Sequence, residues 1–448
     1  MSSLPERRLT ELVALVREGR IDAFIERAWD LEPADLADVL SALDDDERIA
    51  LVRLLPVEIS SQALVEMPYE EHAEDIVAAL DAGQAAEIVE ELEDDDAADL
   101  LGELEFADQE RILAEVEDRA DVDRLLRYHE ETAGGLMTQQ MVIVTDLDNA
   151  ALALEAVRRQ ADDVEDVSEI FVVDTARRLV GLLTIKRLVL APPDRLVRDA
   201  MEGAEVRVLP DVDQEEVAKL MARYNLPSIP VVDATGRLLG RVTYDDVIDV
   251  TEAEATEDLL RFGGVSPDEE LGGTSISAVR SRLPWLYTNL LTAFPAAAII
   301  VMFEHNLQNG AGQGLVRWMP VIAGMGGNAG TQALAVSVRR LSLSNVGSDR
   351  FASIVRKEML VGAINGFAIG VVVAAVALLL GGPWRLGLVV FLAMAGNLFV
   401  AGFAGSFIPV LLERLGVDPA VASSVFVTSL TDAVGYGLLL GLGTVVLL

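Results

Sequence analysis

From residue 6 to about 125 the chain sets apolar residues at helical spacing against polar ones. "ADLADVLSAL", "RIALVRLLP", "SQALVEMP", "HAEDIVAAL", "QAAEIVEEL", "DAADLLGEL" and "QERILAEVE" follow one another with acidic or proline breaks between them. A break roughly every 12–17 residues predicts short helices stacked in pairs, as in a solenoid. At "AGGLMTQQMVIVT" the pattern changes to short β-branched runs alternating with helices, which predicts an α/β region. An acidic helical stretch, "VIDVTEAEATEDLLRF" (247–262), comes next. Five apolar segments then occupy about 284–304, 315–338, 358–381, 386–411 and 419–447, each long enough to cross a bilayer.

The α/β region contains a repeat. "FVVDTARRLVGLLTIKRLV" (171–189) aligns with "IPVVDATGRLLGRVTYDDVI" (229–248) at a constant offset of 59. Asp174 pairs with Asp233, Gly181 with Gly240 and Thr184 with Thr243, while Met137 and Met201 open the two units. Each unit reads strand, turn, strand, helix. Two such units resemble a tandem pair of CBS domains, a regulatory module that often holds adenosine nucleotides. The resemblance implies Thr243 and Asp246 as nucleotide contacts, with ATP or another adenosine nucleotide as ligand. In the first unit Arg187 stands where the matching acid belongs, so the ribose-binding carboxylate is missing there.

Charge divides the chain sharply. The 448 residues carry a net charge of −38, yet the mean hydropathy is +0.35. Beyond residue 270 stand six acids and ten bases; of 73 acids and 35 bases in all, the first 270 residues hold 67 and 25, a net of −42 against +4. An acidic soluble half therefore precedes a hydrophobic membrane half. Such a surface repels nucleic acid and concentrates cations. The absence of cysteine removes disulfides, thiolate metal sites and cysteine catalysis together. The N-terminal stretch has no apolar run long enough for a secretory signal, so the soluble half is expected in the cytosol. Arg280 and Arg282 precede the first segment, Arg339, Arg340, Arg350, Arg356 and Lys357 lie between the second and third, and Arg414 between the fourth and fifth. The positive-inside rule then places the N-terminus inside and the C-terminus outside the plasma membrane.

Candidate chemistry in the membrane half is sparse. Gly362, Gly366 and Gly370, Gly326 and Gly330, and Gly437 and Gly441 are spaced for close helix packing. "GMGGNAGTQ" (324–332) puts Asn328, Thr331 and Gln332 into an apolar segment, where they either pack tightly or line a wet cavity. Asp432 lies among Thr428, Ser429 and Thr431 with no Lys or Arg at matching depth. A carboxylate there costs a few kcal/mol and points to a water-filled path, with Thr428 and Thr431 as pore-lining candidates beside Asn328. Without Cys or deep His the donors are hard oxygens, suited to Mg²⁺, Ca²⁺ or Mn²⁺. One or two carboxylates holding a still-hydrated ion favour Mg²⁺, and two Asp432 side chains across a homodimer axis would supply the pair. None of the three lysines follows a glycine, which excludes a Walker A loop. The membrane potential alone gives a divalent cation about 4.6 kcal/mol per 100 mV, so passive inward flow suffices.

The order of acidic helical domain, CBS pair, connector helix and five apolar segments resembles the bacterial MgtE magnesium channels or transporters. "GMGGNAGTQ", "RLGVDPA" (414–420), "LTDAVG" (430–435) and "EAEATED" (252–258) carry the likeness. It implies a multidomain membrane protein that is not an enzyme: a helical, solenoid-like N domain (1–130), an α/β tandem CBS pair (131–250), a connector or plug helix (251–275) and an all-α transmembrane domain of five helices (276–448). It also implies a homodimer in the lipid bilayer with hydrated Mg²⁺ at Asp432, closed when Mg²⁺ binds between acidic cytosolic surfaces. Carried over by motif, the regulatory ligands are Asp95, Asp99, Glu215, Asp246, Asp249, Glu254, Glu257, Asp258 and Asp418. Gln62 and Asn225 stand where the family can have acids. Two other functions compete: an H⁺- or Na⁺-coupled divalent cation carrier, and a membrane-anchored metal or nucleotide sensor.

Overall fold

The computed structural model describes residues 4–68, 71–117, 119–120, 122–160, 164, 167–266, 275–307, 314–342, 348–415 and 424–447. The chain divides into two compact units, Met1–Glu254 and Ala255–Leu448.

In the first unit, helices between Glu6 and Leu125 pack on their next-but-one neighbours. One row runs through Pro33–Ser41, Val57–Val65, Ala82–Glu91 and Phe106–Leu113, the other through Asp45–Val52, Ala73–Ala78, Asp94–Gly102 and Val122–Leu125. Two rows of short helices are the solenoid-like stack that the acidic breaks predict. The breaks act through capping. Asp44 accepts from the Glu47 N–H while the Glu47 carboxylate reaches back to the Asp44 N–H, a reciprocal box that starts Asp45–Val52. Arg48, barely exposed, closes the preceding helix by donating to the carbonyls of Leu40 (2.9 Å) and Ser41 (3.1 Å). Arg111 does the same at Ala78 (2.9 Å) and Leu80 (3.2 Å).

The repeat follows. Strands β1 (Ile143–Thr145), β2 (Glu169–Val173) and β3 (Leu179–Thr184) form one sheet, β1–β2 parallel and β2–β3 antiparallel. Strands β4 (Ser228–Val232) and β5 (Leu238–Thr243) form the second hairpin, antiparallel as in the first. The repeated glycines have a physical reason. A Cβ on Gly181 would lie 2.5 Å from the Met201 sulfur, and one on Gly240 would lie 3.0 Å from that of Met137. Each opening methionine thus packs against the glycine of the opposite unit. One hydrophobic core runs from the helical stack into the second repeat, through Val208, Val217, Met221, Ile229 and Val242. Asn225 is the left-handed C-cap of Gln214–Tyr224 (φ 51°), a position that suits Asn better than an acid of the family pattern. The acidic stretch after β5 belongs to one continuous helix, Tyr244–Gly263; residues 267–274 of the expected connector lie outside the described residues.

The second unit contains the long helices. Among the described residues four are long and apolar enough to cross a membrane: Ser275–Met302, Ala352–Leu379, Trp384–Leu412 and Ser424–Leu447. The remaining expected segment forms the helix Met319–Ser342, whose middle holds four glycines, Asn328, Thr331 and Gln332 and so falls short in apolarity. The helix Trp384–Arg414 packs against Met319–Ser342, Ser348–Leu379 and Ser424–Leu447, and Ser275–Met302 packs on the last of these. Close approach is where the glycine spacing predicts it: a Cβ on Gly362 would meet the Leu398 carbonyl at 2.5 Å and one on Gly366 that of Ala395 at 2.8 Å. Gly437 and Gly441 differ, since nothing among the described residues lies within 4 Å of a Cβ added at either. Leu286, Leu290, Leu291 and Phe294 on one helix and Leu360, Ile364 and Phe367 on another are exposed, an apolar exterior that lipid covers. The protein is a multi-pass membrane protein.

Candidate ion sites

Asp95, Asp99 and Glu103 are spaced by four, so the helix Asp94–Gly102 and its C-cap put all three carboxylates on one stripe. The stripe starts buried and runs out to the surface: Asp95 is buried, while Asp99 and Glu103 are exposed. Asp95 is 7% exposed, and its Oδ1 is buried with no hydrogen-bond partner among the described residues. Burial, then the charges of Asp246, Asp96 and Glu93, hold its proton well above the usual carboxylate range. Partial desolvation by its neighbours, reinforced by Asp246 and Glu130, pushes the exposed Asp99 up to about 7. Glu103, exposed at the end of the stripe, is pushed up to about 8 by partial desolvation and by Glu74, with which it shares a hydrogen bond. Asp246 itself rises to about 6, burial outweighing the hydrogen bonds from Thr243. Asp249 is raised by burial, then by Glu252 and Asp245. Asp95 and Asp99 thus both feel the charge of Asp246, Asp95 from a buried position and Asp99 from the surface. Such a set stays charged only if a cation joins it. All the donors are carboxylate oxygens, which fits a hard divalent ion, and the orphaned Asp95 Oδ1 is a ligand atom in waiting. Glu103 and Glu74 were not singled out from the sequence; the i, i+4, i+8 recurrence of acids was the signal.

The other regulatory candidates lie elsewhere. Glu215 is paired with Lys219 one turn along its own helix (2.7 Å). Glu254 accepts from Gln214 Nε2 at 2.8 Å. Glu257 is ion-paired with Arg261. Asp258 borders a cavity of about 250 Å³ with Leu259, Phe262, Val338 and Arg339. Asp418 lies outside the described residues.

The Thr-x-x-Asp pair has a local structural use. The Thr243 hydroxyl donates to Asp246 Oδ2 at 2.6 Å, and the Thr243 N–H reaches the same oxygen at 3.3 Å, where Tyr244–Gly263 begins. That is half of a capping box, made without any nucleotide. In the first unit Thr184 caps its helix through the Arg187 N–H, and the Arg187 guanidinium is ion-paired with Glu202.

In the second unit Asp432 is half-buried on Ser424–Leu447, without a hydrogen-bond or ion-pair partner among the described residues. Thr431 is fully buried, its hydroxyl donating to the Thr428 carbonyl (2.9 Å); that of Thr428 donates to Val425 (3.1 Å). Asn328 is exposed, as is Gln332 one turn on, so the chain leaves a polar stripe of Met319–Ser342 uncovered. Sequence reasoning missed Asn397. Its fully buried amide donates from Nδ2 to the Ile322 carbonyl at 2.9 Å, and its Oδ1 has no partner among the described residues. A Cβ on Gly326 would stand 2.2 Å from that Nδ2 and one on Gly435 2.8 Å from it. The amide therefore sits in a notch between the helices Met319–Ser342 and Ser424–Leu447, one turn from Thr431. A polar residue in "AMAGNLFVAG" was the only hint.

Comparison with known proteins gives three family matches: an MgtE intracellular N domain over residues 31–131, a CBS domain over 197–252 and a divalent cation transporter domain over 319–442. The magnesium transporter MgtE of Thermus thermophilus is 36% identical over 96% of this chain and 97% of its own length. That of Bacillus subtilis is 31% identical over 97% and 96%. Among solved structures, the ATP-bound cytosolic domain of the Mg²⁺ channel MgtE is 36% identical, covers 54% of this chain and 99% of its own, and superposes with a TM-score of 0.51. The soluble part of a magnesium transporter reaches the same TM-score at 28% identity, over 56% of this chain and 99% of its own.

Proposed function

The chain belongs to the MgtE family of magnesium transporters, and from that premise we propose that it is a passive, Mg²⁺-selective channel closed by Mg²⁺ at its acidic half. The observation that carries the regulatory part is the buried, unmatched Asp95 oxygen, with Asp246 acting electrostatically on both Asp95 and the exposed Asp99 one turn on. Mg²⁺ between these carboxylates neutralises them and stabilises the compact arrangement. Removing it restores their repulsion, and water must then enter. The helix Tyr244–Gly263 carries Asp246 and Asp249 at its start and Glu257 and Asp258 beyond, so it is the covalent path by which that change leaves the cluster.

Permeation rests on Asp432 in a homodimer, where two carboxylates face one hydrated ion. The uncovered stripe of Asn328 and Gln332 and the open Gly437 and Gly441 support a second copy beside this one. The soluble domains are placed in the cytosol and the C-terminus outside. ATP at the repeat is the ligand carried over from the neighbouring structure; Thr243 and Asp246 are the residues that would meet its ribose, and Arg187 removes the matching acid from the first unit.

The test is single-channel recording in a planar bilayer. Discrete openings that carry Mg²⁺ without a proton or sodium gradient, and that cease as cytosolic-side Mg²⁺ rises, are expected. Electrically silent transport that depends on such a gradient would favour the coupled carrier and overturn the channel reading.

A further inference from the structure

The first 270 residues carry a net charge of −42, yet one cavity in the first unit is lined by three arginines, Arg124, Arg177 and Arg237. It measures about 450 Å³, within the range of small-molecule sites, and Tyr128, Met137 and Leu238 give it an apolar wall. Backbone pairing between the two hairpin tips assembles it. Arg178 bridges Arg237, the Leu179 N–H donates to the Gly236 carbonyl (2.9 Å), and the Leu238 N–H donates to that of Arg177 (3.1 Å). The tips thus bring Arg177 and Arg237 to one place, where Arg124 of the helix Val122–Leu125 joins them.

Two carboxylates stand close by, Asp233 on the cavity itself and Asp174, and both feel the charge of Arg237, but their hydrogen-bonding oxygens are taken up by the hairpin turns. Asp174 accepts from the N–H groups of Ala176 (2.7 Å) and Arg178 (2.9 Å). Asp233 accepts from the Thr235 N–H (2.8 Å), the Thr235 hydroxyl (2.7 Å) and the Arg237 N–H (2.9 Å). Among the described residues none of Arg177, Arg178 and Arg237 forms a salt bridge, while Arg124 is hydrogen-bonded to Gln139. The repeat sharpens the point. Arg177 and Gly236 are equivalent at the offset of 59, and both are left-handed, with φ of 60° and 82°. Glycine takes that conformation freely; arginine takes it at a cost, and here the cost places a guanidinium on the cavity. Strain of this kind is kept where a side chain has work to do.

We propose that this cavity is an anion site that takes a polyphosphate chain. It stands at the hairpin tips, about 16 Å along β5 from the Thr243–Asp246 end of the repeat, and it is independent of the ion sites above. Planar guanidinium forks suit phosphate oxygens better than any other donor this chain offers.

The test is calorimetric titration of the full-length protein in detergent, in Mg²⁺-free buffer at fixed ionic strength. The probes are inorganic tripolyphosphate, ATP and adenosine. Arg177→Gly removes the charge while restoring the glycine of the second repeat, so the fold is relieved and not endangered. Tripolyphosphate binding weakened about tenfold or more in Arg177→Gly and in Arg237→Gln, and unchanged in Thr243→Val, is expected, since each arginine removes a charge-assisted contact. ATP binding more tightly than tripolyphosphate supports the site with a nucleotide as source; equal binding supports it with free polyphosphate. Undetectable tripolyphosphate binding to the wild type, equal binding to Arg177→Gly, or loss in Thr243→Val alone would overturn the proposal. So would adenosine binding as tightly as ATP.

Discussion

Carboxylates are crowded in one region of this molecule and solitary in the other. Around Asp95, Asp99, Glu103 and Asp246 several acids crowd a strip that runs from the buried Asp95 to the surface, and their proton affinities rise together. Asp432 has no second carboxylate or base bonded to it among the described residues, and its neighbours Thr428 and Thr431 give their hydroxyls to backbone carbonyls. Crowded acids are completed from outside by a proton or a divalent ion, so their state reports the solution. A solitary acid is completed by whatever passes it, or by its twin in a second chain. On the proposed function, the comparison separates a sensor from a conduit using one residue type.

The largest effect belongs to the solitary site. Asp432→Ala is expected to abolish Mg²⁺ uptake into proteoliposomes while the oligomeric state by size-exclusion chromatography stays that of the wild type. Uptake near the wild-type rate would remove Asp432 from the pore and with it this side of the comparison.

Next comes the scaffold that holds Asp432 in place. Gly326→Ala pushes a methyl to within 2.2 Å of Asn397 Nδ2, an overpacking expected to cost about 1–3 kcal/mol, visible as a lower unfolding temperature and reduced uptake. Combining it with Asn397→Ala frees the notch and should recover part of the loss. Strictly additive effects of the two substitutions would show that the amide does not fill this space.

Much of this was legible in advance, for reasons that differ by region. The acidic breaks announced the helical stack because capping is local, as Asp44 and Glu47 illustrate. The offset of 59 announced the repeat, since Gly181 and Gly240 each admit a methionine from the other unit. Asp432 stood out by polarity alone. The role of Asn397 was hidden, because a notch between Gly326 and Gly435 joins residues far apart in sequence. Equally hidden was the difference among the nine regulatory candidates. Composition makes every acid in a −42 half look alike; only burial separates Asp95 from Glu215. Gly437 and Gly441 have the spacing of a packing motif without a packed neighbour among the described residues, so spacing alone did not reveal what covers them.

A smaller effect tests the crowded site through pH. Asp246, Asp99 and Glu103 have folded-state values of about 6, 7 and 8, above those of an exposed carboxylate. The folded protein therefore binds more protons than the unfolded chain between roughly pH 4 and 8, and stability falls as pH rises through that window. Mg²⁺ should offset the fall, acting strongly near pH 8 and weakly near pH 5, where protons already hold the site. Hydrogen exchange of the helix Asp94–Gly102 in the full-length protein reads this directly. Asp99→Asn should flatten the pH dependence. Protection independent of pH in chelator would mean the cluster is hydrated and does not sense.

The smallest effect is expected at Glu215, and it tests whether burial is what distinguishes a sensing acid. Its carboxylate spends its charge on Lys219, 2.7 Å away on the surface of the same helix. An exposed pair of this kind contributes about 0–1 kcal/mol, and salt screens it. Glu215→Gln leaves Lys219 solvated and creates no buried charge, so the Mg²⁺ concentration that closes the channel should be unchanged, as should exchange protection of Asp94–Gly102. Asp95→Asn, by contrast, removes a buried charge beside Asp246, and closure should then require more Mg²⁺. Should Glu215→Gln shift closure as far as Asp95→Asn does, acids act by number and not by burial. The crowded region would then be a diffuse cation atmosphere and not a defined site.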